Sequence, residues 1–331
     1  MSRRIAATVR DAAASTAPDR SHPLVPGGRR SPAPTVGSTR TAGGRTIVEE
    51  STTTVITGDG LQLHIYRWAP DGRPKAVVQV QHGLAEHAGR YRRFAEALTD
   101  AGYLVYAADA RGSGRSAANG YGAWGTDGWP GWVDDVARLT AHIRHDEPDL
   151  PLGLFGHSMG SFATQHHLLD HADDVDAVVL SGSTEVSWLV PVLAADEPAD
   201  LSVFNAPFEH RTGFEWLSRD TAEVDAYVAD PACGWQAPPL TAIDTLAAAA
   251  DPERVAAIRD DLPILIVSGS DDPLAQGGAT VEALAEQYRQ AGLTDVEVKL
   301  YPGARHEVLN ETNRDEITAD IIAFLDHTLA R

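Results

Sequence analysis

The chain has 331 residues, 43% hydrophobic and 22% charged, with 27 basic against 47 acidic side chains and a formal net charge of −20. A chain of that length buries a sizeable core, and that charge argues against nucleic acid and anionic lipid headgroups as partners. The single cysteine, Cys233, excludes an intrachain disulfide and fits a reducing, cytoplasmic setting; no apolar stretch approaches the roughly 20 residues that cross a bilayer.

The charge is uneven. Residues 1–46 carry eight arginines against Asp11 and Asp19, whereas the remainder carries 19 basic against 45 acidic residues. This Arg-, Pro- and Gly-rich stretch lacks the apolar run of a secretory signal, and its prolines break the amphipathic helix of a transit peptide. It is expected to be a disordered tail, followed by one domain over 47–331.

From there the pattern becomes regular. Thr52–Thr57 and Leu61–Trp68 alternate apolar and polar residues around Gly58-Asp59-Gly60, which predicts a hairpin. Short apolar runs follow at 76–80, 104–108, 152–155, 177–180 and 264–267, each suited to a strand buried on both faces, and a last strand is expected at 296–301. Helix-period segments lie between them, at 91–101, 132–145, 161–172, 281–291 and 316–329. This alternation predicts an α/β fold, a doubly wound and mostly parallel sheet. The interval 183–245, rich in Pro and aromatic residues, is too long for a plain connection and is expected to be an inserted, mostly helical cap.

Chemistry concentrates at the strand ends. Gly156-His157-Ser158-Met159-Gly160 stands between a strand and a helix, the context of a nucleophile elbow. The two glycines remove Cβ atoms where the turn crowds the backbone, and Ser158 begins a helix. A serine hydroxyl needs a base, and His306 follows the last strand; the base needs a carboxylate, and Asp271 and Asp272 both follow the strand at 264–267. Two backbone N–H groups are expected to hold an oxyanion, those of Met159 and Leu84, the latter in the His82-Gly83 loop after the first buried strand. Leu189, Val190 and Leu193 are candidates to line a substrate pocket. No metal site is expected: His82 and His87 lack a carboxylate cluster in sequence, and His166, His167 and His171 read as a helix face. Trp124, Trp129 and Trp132 read as core, and Arg111 and Arg115 as loop-fixing charges.

The segments QHGLAEHAGRY, ADARGSGRS, GHSMGS, GSDDPL and YPGARHEVLNE resemble the α/β-hydrolase superfamily over about residues 48–330, and within it the monoacylglycerol lipase and lysophospholipase group. The resemblance implies a triad of Ser158, Asp272 and His306, because in that group the acid lies three residues past the glycine that ends its strand, here Gly269. It also implies a lid at 183–245 over an acyl-chain pocket, with Cys233 in that lid. The expected activity is cofactor-independent hydrolysis of a small-molecule carboxylic ester, such as a monoacylglycerol or lysophospholipid, without stable membrane anchoring. The Arg-rich tail and the acidic residues Asp196, Glu197 and Asp200 depart from the group's pattern. Thioesterase, aminopeptidase or acyltransferase chemistry on the same triad, and a non-catalytic binding protein of this fold, are the alternatives.

Overall fold

The structure is a computed structural model that describes residues 35–36, 49–194, 198 and 200–329. Strands β1 (Thr35–Val36), β2 (Glu49–Ile56), β3 (Gln62–Ala69), β4 (Ala76–Gln81), β5 (Tyr103–Ala108), β6 (Leu152–His157), β7 (Ala177–Ser181), β8 (Ile264–Gly269) and β9 (Val296–Tyr301) form one sheet. Among the described residues its order is β1-β2-β3-β5-β4-β6-β7-β8-β9. The β2–β3 hairpin is closed at Gly60, whose positive φ of 86° suits a glycine. From β5 onward every pairing is parallel. Residues 1–34 and 37–46 of the expected tail lie outside the described residues, whereas Thr35 and Val36 pair with Thr52 and Ser51.

Period-two geometry explains why the central strands are continuous apolar runs. Val77, Leu104, Leu154, Val178 and Ile266 face one core. Their neighbours Val78, Val105, Phe155, Val179 and Leu265 face the other. Helices α1 (Arg92–Asp100) and α8 (Arg314–Leu329) bring apolar residues to the second core, whereas α2 (Gly128–Asp146), α3 (Met159–His171) and α7 (Ala279–Gln290) serve the first. β9 is wetter, as the last strand of the order should be. Helix α2 begins before the expected residue 132, because Pro130 sits in its first turn, where no backbone N–H is needed.

Between β7 and β8 the regular alternation stops. Only three short α-helices occur there among the described residues: α4 (Val190–Leu193), α5 (Thr221–Ala229) and α6 (Pro252–Val255). Tight 3₁₀ turns cover 201–205, 215–217 and 243–250. Among the described residues the interval is broken into short helical pieces, the longest being Thr221–Ala229. Pro191, Pro198, Pro207, Pro231, Pro238 and Pro239 deny it longer backbone ladders.

Candidate active site

β6 runs directly into Ser158, whose φ of 51° and ψ of −122° are unusual for a residue with a Cβ. Such a conformation costs on the order of 1–3 kcal/mol and persists only where its surroundings enforce it. Here they do. Ser158 donates its N–H to Ser181 O at 2.9 Å, and its carbonyl accepts from Ser161 N and Phe162 N as α3 begins. A Cβ on Gly156 would lie 2.5 Å from Thr164 Oγ1, and one on Gly160 would lie 2.5 Å from both Gln81 O and His82 O. The two glycines let the helix press against β6 and the end of β4, which lifts the Ser158 side chain off the sheet.

His306 follows β9. Its Nδ1 lies 2.9 Å from Asp272 Oδ2, and the other Asp272 oxygen accepts the Leu274 N–H at 2.9 Å. Asp272 is buried, whereas Asp271 is exposed and accepts a bond from Ser270 Oγ. The aspartate facing the imidazole is therefore Asp272. A Cβ on Gly269 would come 2.0 Å from Ala304 O, so the loops after β8 and β9 meet only because residue 269 has none. Burial pushes the His306 pKa down, but the Asp272 charge and hydrogen bond push it up further, and the net direction is upward. The ring lies between Trp216 and His157, at centroid distances of 4.7 and 4.8 Å. Its backbone is fastened overhead: His306 N donates to Trp216 O at 3.2 Å and Glu307 N to Leu217 O at 2.8 Å. Nε2 is buried and has no hydrogen-bond partner among the described residues.

Ser158 and His306 line one cavity, together with Gly83, Leu84 and Met159. No acceptor among the described residues takes the Leu84 or Met159 N–H. His82 explains how Leu84 is oriented. Its Nδ1 contacts Gly83 O at 2.7 Å while its Nε2 accepts the Ala110 N–H at 2.9 Å, which assigns the proton to Nδ1. Burial lowers its pKa and keeps the ring neutral. Fixing the Gly83 carbonyl fixes the whole Gly83–Leu84 peptide plane, because its N–H must point opposite to its C=O.

Leu189 and Leu193 line the cavity as expected, one helical turn apart. Val190 does not: it is buried in the main core, because one residue along a helix turns a side chain by about 100°. The remaining apolar lining comes from residues that the sequence did not single out, including Phe162, Leu201, Phe204, Trp216, Leu217 and Leu274. Glu86 and Glu307 were also missed. Arg90 bridges them, with Nη1 2.6 Å from Glu86 Oε2 and a two-pronged contact to Glu307 at 2.6 and 2.7 Å. Against the cost of burial, Arg90 holds the Glu86 carboxyl down at about 2. The four-residue spacing of Glu86 and Arg90 was a readable signal, but Glu307 was not, being distant in sequence. Trp129 and Trp132 are core residues, and Arg111 is a buried partner of Asp135 and Asp59. His87 pairs with Asp230 at 2.9 Å, with Cys233 beside them, so its carboxylate partner comes from another part of the chain.

A family model described as serine aminopeptidase S33, a hydrolase family, matches residues 72–313. The chain is an α/β-hydrolase of the S33 family. This hydrolase is 33% identical to a monoacylglycerol lipase of Mycolicibacterium smegmatis over 80% of its own length and 95% of the relative. It is 31% identical to mouse monoglyceride lipase over 83% and 90%. Among solved structures, a thermostable carboxyl esterase of Bacillus coagulans in complex with glycerol superposes with a TM-score of 0.76 at 27% identity, covering 84% of this chain and 98% of that one. A soluble variant of the Saccharomyces cerevisiae monoglyceride lipase shares the fold, with a TM-score of 0.63 at 20% identity, over 82% and 93%.

Proposed function

We propose that this S33 hydrolase cleaves the carboxylic ester of monoacylglycerols through an acyl-enzyme on Ser158. In this reading His306 takes the hydroxyl proton as Ser158 attacks the ester carbonyl, and Asp272 holds the imidazole tautomer and stabilises the imidazolium. The Leu84 and Met159 N–H groups carry the charge on the carbonyl oxygen. His306 then protonates the departing glycerol, and water repeats the sequence on the acyl-enzyme. Residues 183–245 act as the lid, and no cofactor enters the scheme. The lone thiol supports a reducing, cytoplasmic working environment.

One observation carries this reading: Ser158 and His306 open onto a cavity whose remaining walls are mostly apolar, with polar groups confined to Glu86, His157, Tyr227 and Glu307. Apolar walls suit an acyl chain, and the polar patch suits a polyol. Two carboxylates against one guanidinium leave that patch net negative, which favours uncharged glycerol over the phosphate of a lysophospholipid. An aminopeptidase would need a carboxylate free to hold an amine, and Arg90 already occupies both.

The test is a panel of monoacylglycerols, lysophospholipids, acyl thioesters and aminoacyl anilides, run on the wild type and Ser158→Ala. Monoacylglycerol turnover that disappears in Ser158→Ala supports the reading. Preference for the anilides, or full activity in the variant, refutes it.

A further inference from the structure

The Cys233 thiol, the His87 imidazole and the Asp230 carboxylate converge outside the cavity. His87 belongs to the loop that follows β4, three residues beyond Leu84, whereas Asp230 and Cys233 lie in the turn that ends α5. Cys233 Sγ, one Asp230 carboxylate oxygen and one His87 ring nitrogen all lie within 4.8 Å of one another. From this convergence we propose that the three side chains form a binding site for one Zn²⁺ ion, which joins the oxyanion loop to the segment between β7 and β8.

The chemistry of the set favours zinc. One sulfur, one imidazole nitrogen and one carboxylate oxygen are its ordinary ligands, at about 2.3 Å, 2.0–2.1 Å and 2.0–2.2 Å, and three protein ligands leave a fourth tetrahedral position for water. Hard cations such as Mg²⁺ and Ca²⁺ avoid thiolate. Two ligands at such distances about a tetrahedral ion stand roughly 3.4 Å apart. The present His87–Asp230 spacing of 2.9 Å must open by about half an ångström, and the more distant sulfur must close.

The surroundings hold the ligands ready. Asp230 Oδ1 accepts the Ala232 N–H at 2.8 Å, leaving Oδ2 turned toward His87. Cys233 N donates to Asp230 O at 3.0 Å, so one turn presents both ligands. Ala85 O, between Leu84 and His87, accepts from Gly234 N and from Tyr227 Oη, each at 2.9 Å. The loop and the turn are therefore already in register. His87 and Asp230 keep 18% and 34% of their side-chain surface, enough for an ion to enter from solvent. On binding, the thiol gives its proton to water, the proton on the ligating His87 nitrogen passes through water to the other ring nitrogen so that the imidazole stays neutral, and the sulfur and carboxylate charges balance the cation.

The experiment uses the full chain, reduced and freed of metal, titrated with Co²⁺ and then Zn²⁺ under anaerobic conditions. Expected are a thiolate-to-cobalt charge-transfer band saturating at one equivalent, its loss when Zn²⁺ is added, and a melting midpoint raised by Zn²⁺. The band and the stabilisation should vanish in Cys233→Ser and weaken at least tenfold in apparent affinity in His87→Ala and Asp230→Asn. His306→Ala should bind as the wild type does. If Cys233→Ser does not fold, the other two variants carry the test, because the sulfur band itself reports the thiolate. No charge-transfer band, or binding indifferent to residues 87 and 230, overturns the proposal. So does binding lost in His306→Ala, which would put the ion on the base.

Discussion

The floor and the roof of the cavity are built by different means. The floor stands on the ends of β6, β8 and β9, where single glycines decide whether two segments can meet. The roof, among the described residues between β7 and β8, is a series of short helical pieces held by side chains. Asn205 is an example: it donates to Glu215 Oε2 and accepts from Trp216 N, at 2.9 Å each. The contrast teaches that a reacting group needs a fixed support, whereas a wall that selects substrates needs only to be the right shape. Changes to the floor should therefore abolish turnover, and changes to the roof should re-tune it.

The largest break is in the floor. Ser158→Ala should lower kcat for esters by a thousandfold or more, roughly, with the melting midpoint little changed. Asp272→Asn should follow, at roughly ten-thousandfold at most, and Asp271→Asn should leave the rate within about twofold; the pair run side by side tests which carboxylate supports the base. The same variant sharpens the pH argument. His306 must be neutral to accept a proton, and its raised pKa puts the acid limb of the kcat/KM profile above the pH of an ordinary histidine. Without the Asp272 charge the imidazole protonates less readily, so the residual activity of Asp272→Asn should show an acid limb at lower pH. An unmoved limb would mean that another group titrates.

In the roof the effects are smaller. Phe204→Ala should change kcat/KM for long acyl chains by about tenfold while short-chain esters change less than about threefold, since one lost apolar contact is worth only ~1–3 kcal/mol. Equal losses at every chain length would mean that Phe204 does not touch the chain.

The smallest expected effect is on acid stability. Burial holds His157 down at about 4 and His167 at about 3. Between those values and 6.5 the unfolded chain binds protons that the folded one does not, so stability should fall as pH drops from about 6.5 toward 4. His306, shifted the other way, contributes stability that is full below 6.5 and fades as pH rises through its raised value. Melting midpoints across pH 4–8 check the sum, and a flat acid side would contradict the buried, neutral state of both rings.

The same division explains what the sequence could reveal. Strand ends are legible because a strand buried on both faces is an apolar run, and the residue that breaks the run is the one at the sheet's rim. That is how 158, 272 and 306 could be found, although the choice between Asp271 and Asp272 rested on family spacing until the buried contact to His306 was seen. Val190 was misassigned for the opposite reason: a helix of four residues has no period to read, so nothing told its inward face from its outward one. Glu307 and the His87–Asp230–Cys233 group were invisible because their partners come from distant segments, and only the fold brings them together.

The two bonds from His306 N and Glu307 N to Trp216 O and Leu217 O make part of the roof belong mechanically to the floor. A covering fastened there cannot swing as one plate without dragging the imidazole from its station. Admission of a substrate would then be one-sided, by displacement of Leu201–Phe204, with 215–219 acting as the jamb. Amide exchange can distinguish the two motions, with slow exchange at Glu307 alongside fast exchange at Val203. Comparable rates at both would indicate a door that moves whole.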